Sequence, residues 1–170
     1  MSGDNLEWVY NKLVEAGIQV VVALPDSLLT PLCARVQAGS KIKYIQVTHE
    51  SDCVGISTGL NMCGTKTLAV MENSGIRNAC EIIARFHLSH RLFSCYLISH
   101  RGEFGERNWW GMAHNATQQP LLELLQFRWK FLESVSEFPV LLENSFRMIS
   151  SLQTSVAIVA QAGFLSEIRK

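Results

Sequence analysis

Strand-like segments at positions 18–23, 42–47, 67–71, 93–99, 128–132 and 156–160, β-branched over 18–23 and 44–47, alternate with segments whose apolar residues return every three or four positions. That alternation leaves the chain little choice. Continuous apolar runs suit strands buried on both faces, and short connections make each strand–helix–strand unit a right-handed crossover. The expected fold is α/β, a single domain over residues 1–170, with a mostly parallel sheet and helices on both faces. Leu6, Val9, Tyr10, Leu13 and Val14 form a first helical stripe, with Asp4 as N-cap and Gly17 as stop. Further helices are predicted from Asp26 or Ser27, either able to cap, through Val36, and over 51–63, 76–86, 118–125 and 139–152. The tail, 163–170, suits a frayed terminal helix.

At 170 residues and 48% hydrophobic, the chain can bury one sizeable core. Fifteen basic residues balance fifteen acidic ones, so no net field favours nucleic acid or an anionic membrane surface. Cys33, Cys53, Cys63, Cys80 and Cys95 are never spaced as C-x-x-C and sit mostly in apolar segments, as small core residues of a reducing compartment do. The start, Met1-Ser2-Gly3-Asp4, lacks the features of a signal peptide, and no apolar stretch reaches spanning length. A soluble, cytoplasmic protein is expected.

In a parallel sheet the ends of successive strands share one edge, so Pro25-Asp26-Ser27, His49-Glu50, Asn73-Ser74-Gly75 and His100-Arg101-Gly102 should converge there. Glu50 is the first candidate, a carboxylate at a strand-to-helix junction; the alternative is a helix cap. Asp26 and Ser27 also read as caps, Asn73 and Gly75 as turn residues, and His87 and His90 as cations closing a helix. The polar, Gly-rich stretch 100–115 reads as a functional loop, with Trp109 and Trp110 contacting a partner or ligand. No G-x-x-x-x-G-K-[ST], G-x-G-x-x-G or G-x-S-x-G follows a strand, and Ala38-Gly39-Ser40-Lys41 lies between helix and strand, the wrong order for a phosphate loop.

Taken in order, Pro25-Asp26-Ser27-Leu28-Leu29, His49-Glu50, Glu72-Asn73-Ser74-Gly75-Ile76-Arg77-Asn78 and Ser99-His100-Arg101-Gly102-Glu103 resemble the pyrimidine-binding domain of the thiamine-diphosphate-dependent sulfopyruvate and phosphonopyruvate decarboxylases. The Ser-His-Arg-Gly run is most similar to the separate alpha subunit of sulfopyruvate decarboxylase, and the likeness covers roughly residues 6–125. It departs at Ser51-Asp52, where Gly or Ala is common, and at Glu72, where Gln is usual.

The resemblance implies the thiamine-diphosphate pyrimidine-binding fold and thiamine diphosphate as cofactor. Glu50 would hydrogen-bond N1′ of the aminopyrimidine and so promote the tautomer that deprotonates C2. Asn73, Ser74, Gly75 and Pro25 would complete the cofactor site, while Asp26, Ser27, His49, His100, Arg101 and His114 would face the substrate. That substrate is a short 2-oxo acid with a second anionic group, to which Arg77 could add charge. No metal ligand is expected here: Gly3-Asp4-Asn5 precedes the first helix, and the Gly-Asp-Gly site for Mg²⁺ belongs to the family's diphosphate-binding domain, expected on a beta subunit. The implied assembly is a hetero-oligomer with at least two copies of each chain. Acyloin-type carboligation, or a non-catalytic regulatory role on the same fold, are the alternatives.

Overall fold

The structure, a computed structural model, describes residues 3–165. Helix α1 (Gly3–Glu15) buries Val9, Tyr10 and Leu13. Gly17, at φ +74°, ends it: the N–H groups of Gly17 and Ile18 return to the carbonyls of Val14 and Leu13, the paired bonds that need a left-handed residue. Strand β1 (Val20–Leu24), helix α2 (Thr30–Ala38), strand β2 (Lys43–Gln46), helix α3 (Glu50–Met62) and strand β3 (Thr67–Glu72) follow. Next come the short helices α4 (Asn73–Asn78) and α5 (Cys80–Ile82), the latter running into a π-helical turn over Ile83–Leu88. Strand β4 (Cys95–Ser99), helix α6 (Gly111–Leu124), strand β5 (Arg128–Leu132), a 3-10 turn (Val135–Glu137), helix α7 (Phe138–Leu152) and strand β6 (Val156–Ala160) complete the order.

All strand pairs are parallel, in the order β2-β1-β3-β4-β6-β5. Alternate strand residues feed two cores. Val21, Ala23, Leu68, Val70, Leu97 and Ile158 pack under α1, α2 and α7; Val22, Ala69, Met71, Tyr96, Ile98 and Val159 pack under α3 to α6. The chain steps from β1 outward to β2 and then back across to β3, so β1 and β3 flank a switch point, where open α/β sheets hold ligands beyond their carboxyl ends.

Several predicted boundaries move. The sheet is wholly parallel rather than mostly so. Helix α2 starts at Thr30, because Asp26 closes a separate turn: its Oδ1 accepts the Leu29 N–H (3.1 Å) and its carbonyl accepts the Thr30 N–H (2.9 Å). Asn73 and Gly75 are not in a tight turn; they open α4, whose small, polar first turn carries no apolar period. Helix α6 begins at Gly111, seven positions before the predicted start, and carries Pro120 inside it. The predicted tail helix falls partly on residues 166–170, outside the described residues, and the side chain of Asp4, the predicted cap, lies outside them as well. Among the described residues no helix is long and apolar enough to cross a membrane.

Cys33, Cys53 and Cys95 are buried, and burial pushes each thiol up to about 12, which leaves them inert. His87 is buried too, not a cation at a helix end: its Nδ1 pairs with Ser155 Oγ (2.8 Å) and its Nε2 with Thr58 Oγ1 (3.1 Å). Burial lowers its pKa from 6.5 to about 4. Between those values the unfolded chain binds a proton that the folded chain refuses. The contribution is therefore complete above pH 6.5 and is lost as pH falls toward about 4, by about 3 kcal/mol in full. Urea midpoints measured across this window should fall more steeply for the native sequence than for His87→Gln; parallel curves would remove His87 from the acid response.

Candidate active site

Glu50 is the first residue of α3, yet it does not cap the helix. His49 does, its Nδ1 accepting the Ser51 N–H at 3.2 Å. The Glu50 carboxylate, 9% exposed, instead accepts from Asn78 Nδ2 at 3.1 Å, tying the β2 end to α4. Gly75 faces it. A Cβ there would lie 2.7 Å from Glu50 Cγ and 3.0 Å from Met71 Sδ, so only glycine leaves Glu50 in place.

Asn73, at the β3 end, is 1% exposed and donates from Nδ2 to the Arg101 carbonyl (3.0 Å) and to Gln118 Oε1 (2.8 Å). Its own Oδ1 is buried with no partner. An orphaned acceptor of this kind costs free energy until a donor arrives, about 1–3 kcal/mol. His100, also buried, pairs through Nδ1 with the same Gln118 Oε1 at 2.6 Å and meets Phe131 edge-on. Gln118 was not a sequence candidate: on a polar helix start with no apolar stripe, nothing marked it.

Arg101 reaches across the end of β3, its Nη1 donating to Ser27 Oγ (3.3 Å) beyond β1 and its Nε pairing with Glu106 Oε2 (3.2 Å). Glu106 organises the loop. It accepts the N–H groups of Asn108 (3.0 Å) and Gly102 (3.3 Å), and these bonds, Asn108 first, with the Arg101 charge, hold its carboxyl below the usual carboxylate range against the effect of burial. Gly102, at φ +94°, passes so close to the Gly111 carbonyl that no side chain fits. Asn115 Nδ2 fastens the loop to α6 by donating to the Gly102 carbonyl at 2.9 Å.

Ser74 Oγ donates to Glu72 Oε1 (3.1 Å), and His114 Nε2 lies 3.5 Å from the same oxygen. Arg77 Nη2 meets His114 Nδ1 at 2.8 Å; a guanidinium only donates, so the imidazole proton sits on Nε2, toward Glu72. Asp26 Oδ2 is buried and unpartnered, Pro25 is half-buried beside it, and His49 is exposed apart from its cap bond. The structure thus links Ser27, Asn73, Arg101 and Gln118 in one group and Glu50, Gly75 and Asn78 in another, joined through α4; Glu72, Ser74, Arg77 and His114 form a third along its outer side.

Phe104, Trp109, Trp110 and Met112 project beside this edge, Trp109 at 81% exposure. Trp109 and Trp110 pack edge to face, 5.8 Å between ring centroids. Among the described residues no group of three or more His, Cys, Asp or Glu side chains could hold a metal ion.

No family model matches the chain. It is similar to the sulfopyruvate decarboxylase subunit alpha of Methanothermobacter thermautotrophicus, with 32% identity over 106 residues, 62% of this chain and 64% of that protein. The chain is thus similar to sulfopyruvate and phosphonopyruvate decarboxylases, and it spans a little under two thirds of the Methanothermobacter subunit. The likeness to the same subunit of Methanococcus maripaludis is weaker, 25%, but runs over 92% of this chain and 93% of the relative. With the phosphonopyruvate decarboxylase of Streptomyces viridochromogenes it shares 28% identity over 96 residues, which is only 24% of that protein. In this chain the departures at Glu72 and Asp52 are accommodated locally: Ser74 and His114 meet Glu72, while Asp52 is exposed on the first turn of α3.

Proposed function

We propose that this chain is the pyrimidine-binding subunit of a two-chain, thiamine-diphosphate-dependent decarboxylase of a short anionic 2-oxo acid such as sulfopyruvate or phosphonopyruvate. One observation carries the reading: a buried carboxylate, Glu50, is held at a strand-to-helix junction beside a glycine that cannot be anything larger. When bound, the cofactor supplies the electron sink that lets carbon dioxide leave a 2-oxo acid.

The residues present fit that group. Glu50 would share a proton with a ring nitrogen of the aminopyrimidine, and its bond from Asn78 fixes the carboxylate's orientation. Asn73 Oδ1 is an unpaired acceptor suited to an amino group, and Ser74 and Pro25 would line the same ring. On the substrate side, Ser27, Asp26, His49, His100, Arg101 and His114 would orient the oxo acid and exclude water. Mg²⁺ and the diphosphate would be held by a diphosphate-binding beta subunit. The relatives from Methanothermobacter and Methanococcus are named as alpha subunits, which implies a partner, and the exposed aromatic residues on the 101–110 loop suit burial against it. Closed symmetry favours at least two copies of each chain.

The test is carbon dioxide release by the reconstituted pair from sulfopyruvate, phosphonopyruvate and pyruvate. Arg101→Ala should lower kcat/KM for the dianionic substrates about tenfold more than for pyruvate, since a charge-assisted contact to a desolvated anion has that order of value. Equal losses would make Arg101 a loop anchor through Glu106 alone, and no turnover of any 2-oxo acid would defeat the decarboxylase reading.

A further inference from the structure

The polarity of the hydrogen bonds at the ends of β3 and β4 follows from a single backbone carbonyl. Arg101 O can only accept, so the Asn73 amide atom 3.0 Å from it is the NH₂. That same nitrogen lies 2.8 Å from the Gln118 amide, so the Gln118 atom facing it is the oxygen. The oxygen also lies 2.6 Å from His100 Nδ1, so Nδ1 carries the imidazole proton. No choice of amide flip survives this chain of constraints, because reversing any member sets two acceptors or two donors against each other.

We infer that Gln118 is a positioning residue: its side-chain oxygen, receiving both donors, completes the pairing of the Asn73 NH₂ that Arg101 O has oriented, leaving the Asn73 oxygen unpaired, and commits His100 to present Nε2. Both consequences are visible. Asn73 Oδ1 is buried without a partner, and His100 Nε2 has no hydrogen-bond partner among the described residues. Gln118 is 2% exposed, so water does not compete for its oxygen. It comes from α6, whereas the groups it governs come from the ends of β3 and β4; α6 is in turn fastened to the 101–110 loop by Asn115. His100 and Gln118 also line a cavity of about 240 Å³ with Trp129 and Phe131, which gives the imidazole an aromatic wall and room on one side. Ordering this loop and helix therefore sets the proton pattern of the strand ends.

The effect on turnover rests on the decarboxylase reading; the tautomer does not. ¹⁵N NMR of histidine-labelled full-length chain, at about pH 8.5 where a free imidazole is neutral, reports which nitrogen of His100 bears the proton. The native sequence and Gln118→Glu, whose carboxylate still accepts both bonds, should show the Nδ1–H form, and Gln118→Met should lose it. In the reconstituted pair, Gln118→Met should lower kcat about a hundredfold with KM nearly unchanged, the order expected when acting groups are misplaced by ~1 Å. Gln118→Glu should recover most of that loss. An Nε2–H form in the native chain, an unchanged tautomer in Gln118→Met, or equal kcat losses in both variants would overturn the inference. The expected tautomers with no turnover in any variant, the native pair included, would sink the decarboxylase reading and leave Gln118's control of the tautomer standing.

Discussion

With Glu50 replaced by Gln, the reconstituted complex folds and loads its cofactor but exchanges the C2 proton at least about a hundredfold more slowly, the usual range for losing a positioned acid–base group. The amide has nearly the carboxylate's shape, so the bond from Asn78 and the clearance left by Gly75 are preserved. Only the capacity to hold a shared proton is removed. Proton–deuterium exchange at C2 of the bound cofactor measures this step without reference to the substrate. Unchanged exchange in a folded, cofactor-loaded variant would take Glu50 out of the mechanism.

Mixing with a diphosphate-binding partner should have the other large effect. Alone, the chain is expected to bind thiamine diphosphate poorly and to release no carbon dioxide; together, the two chains should bind the cofactor with Mg²⁺ and turn over. A divalent ion that bridges a diphosphate to protein needs several oxygen ligands, and among the described residues no cluster of three or more acidic, His or Cys side chains supplies them. Phe104 and Trp109, both on this loop, face solvent, an arrangement that favours burial in a complex. Calorimetry with cofactor and Mg²⁺, before and after mixing, reads both quantities. Tight binding and turnover by this chain alone would overturn the two-chain reading.

The inner strands β1, β3, β4 and β6 were legible because they are buried on both faces and read as apolar runs, β4 and β6 being buried at every position, whereas the edge strands β2 and β5 are partly exposed. Helices α1 and α7 were legible for the complementary reason, a wide apolar stripe. Helices α4 and α6 were not. Asn73 and Gly75 face Gln118 and Glu50 rather than the hydrophobic core, and Met112, Ala113, Asn115 and Ala116 on the first turns of α6 face solvent, so no period marks either start. The sequence suggests His87 as a cation closing a helix because nothing local reveals a π-helical turn that brings it onto Thr58 and Ser155, residues far away in the chain. At the site, the strand-end rule located Glu50, Asn73 and Arg101, because parallel topology alone gathers strand ends. It could not show that Arg101 is answered by Glu106, nor that Gln118 belongs with Asn73, since both pairings depend on how a loop folds back on itself.

The place of β6 bears on how this molecule comes to be assembled. Among the described residues it is the last strand in sequence but lies inside the sheet, and β5 has no neighbour there other than β6. A nascent chain that has emerged only through α7 therefore exposes one side of β4 as an unsatisfied edge, and β5 has nothing to pair with. The sheet closes only when residues 156–160 slide between two strands already made, a long-range step that is slow compared with pairing of neighbours in sequence. Until then the open β4 edge is a template for another chain, and shielding during synthesis matters most for this stretch.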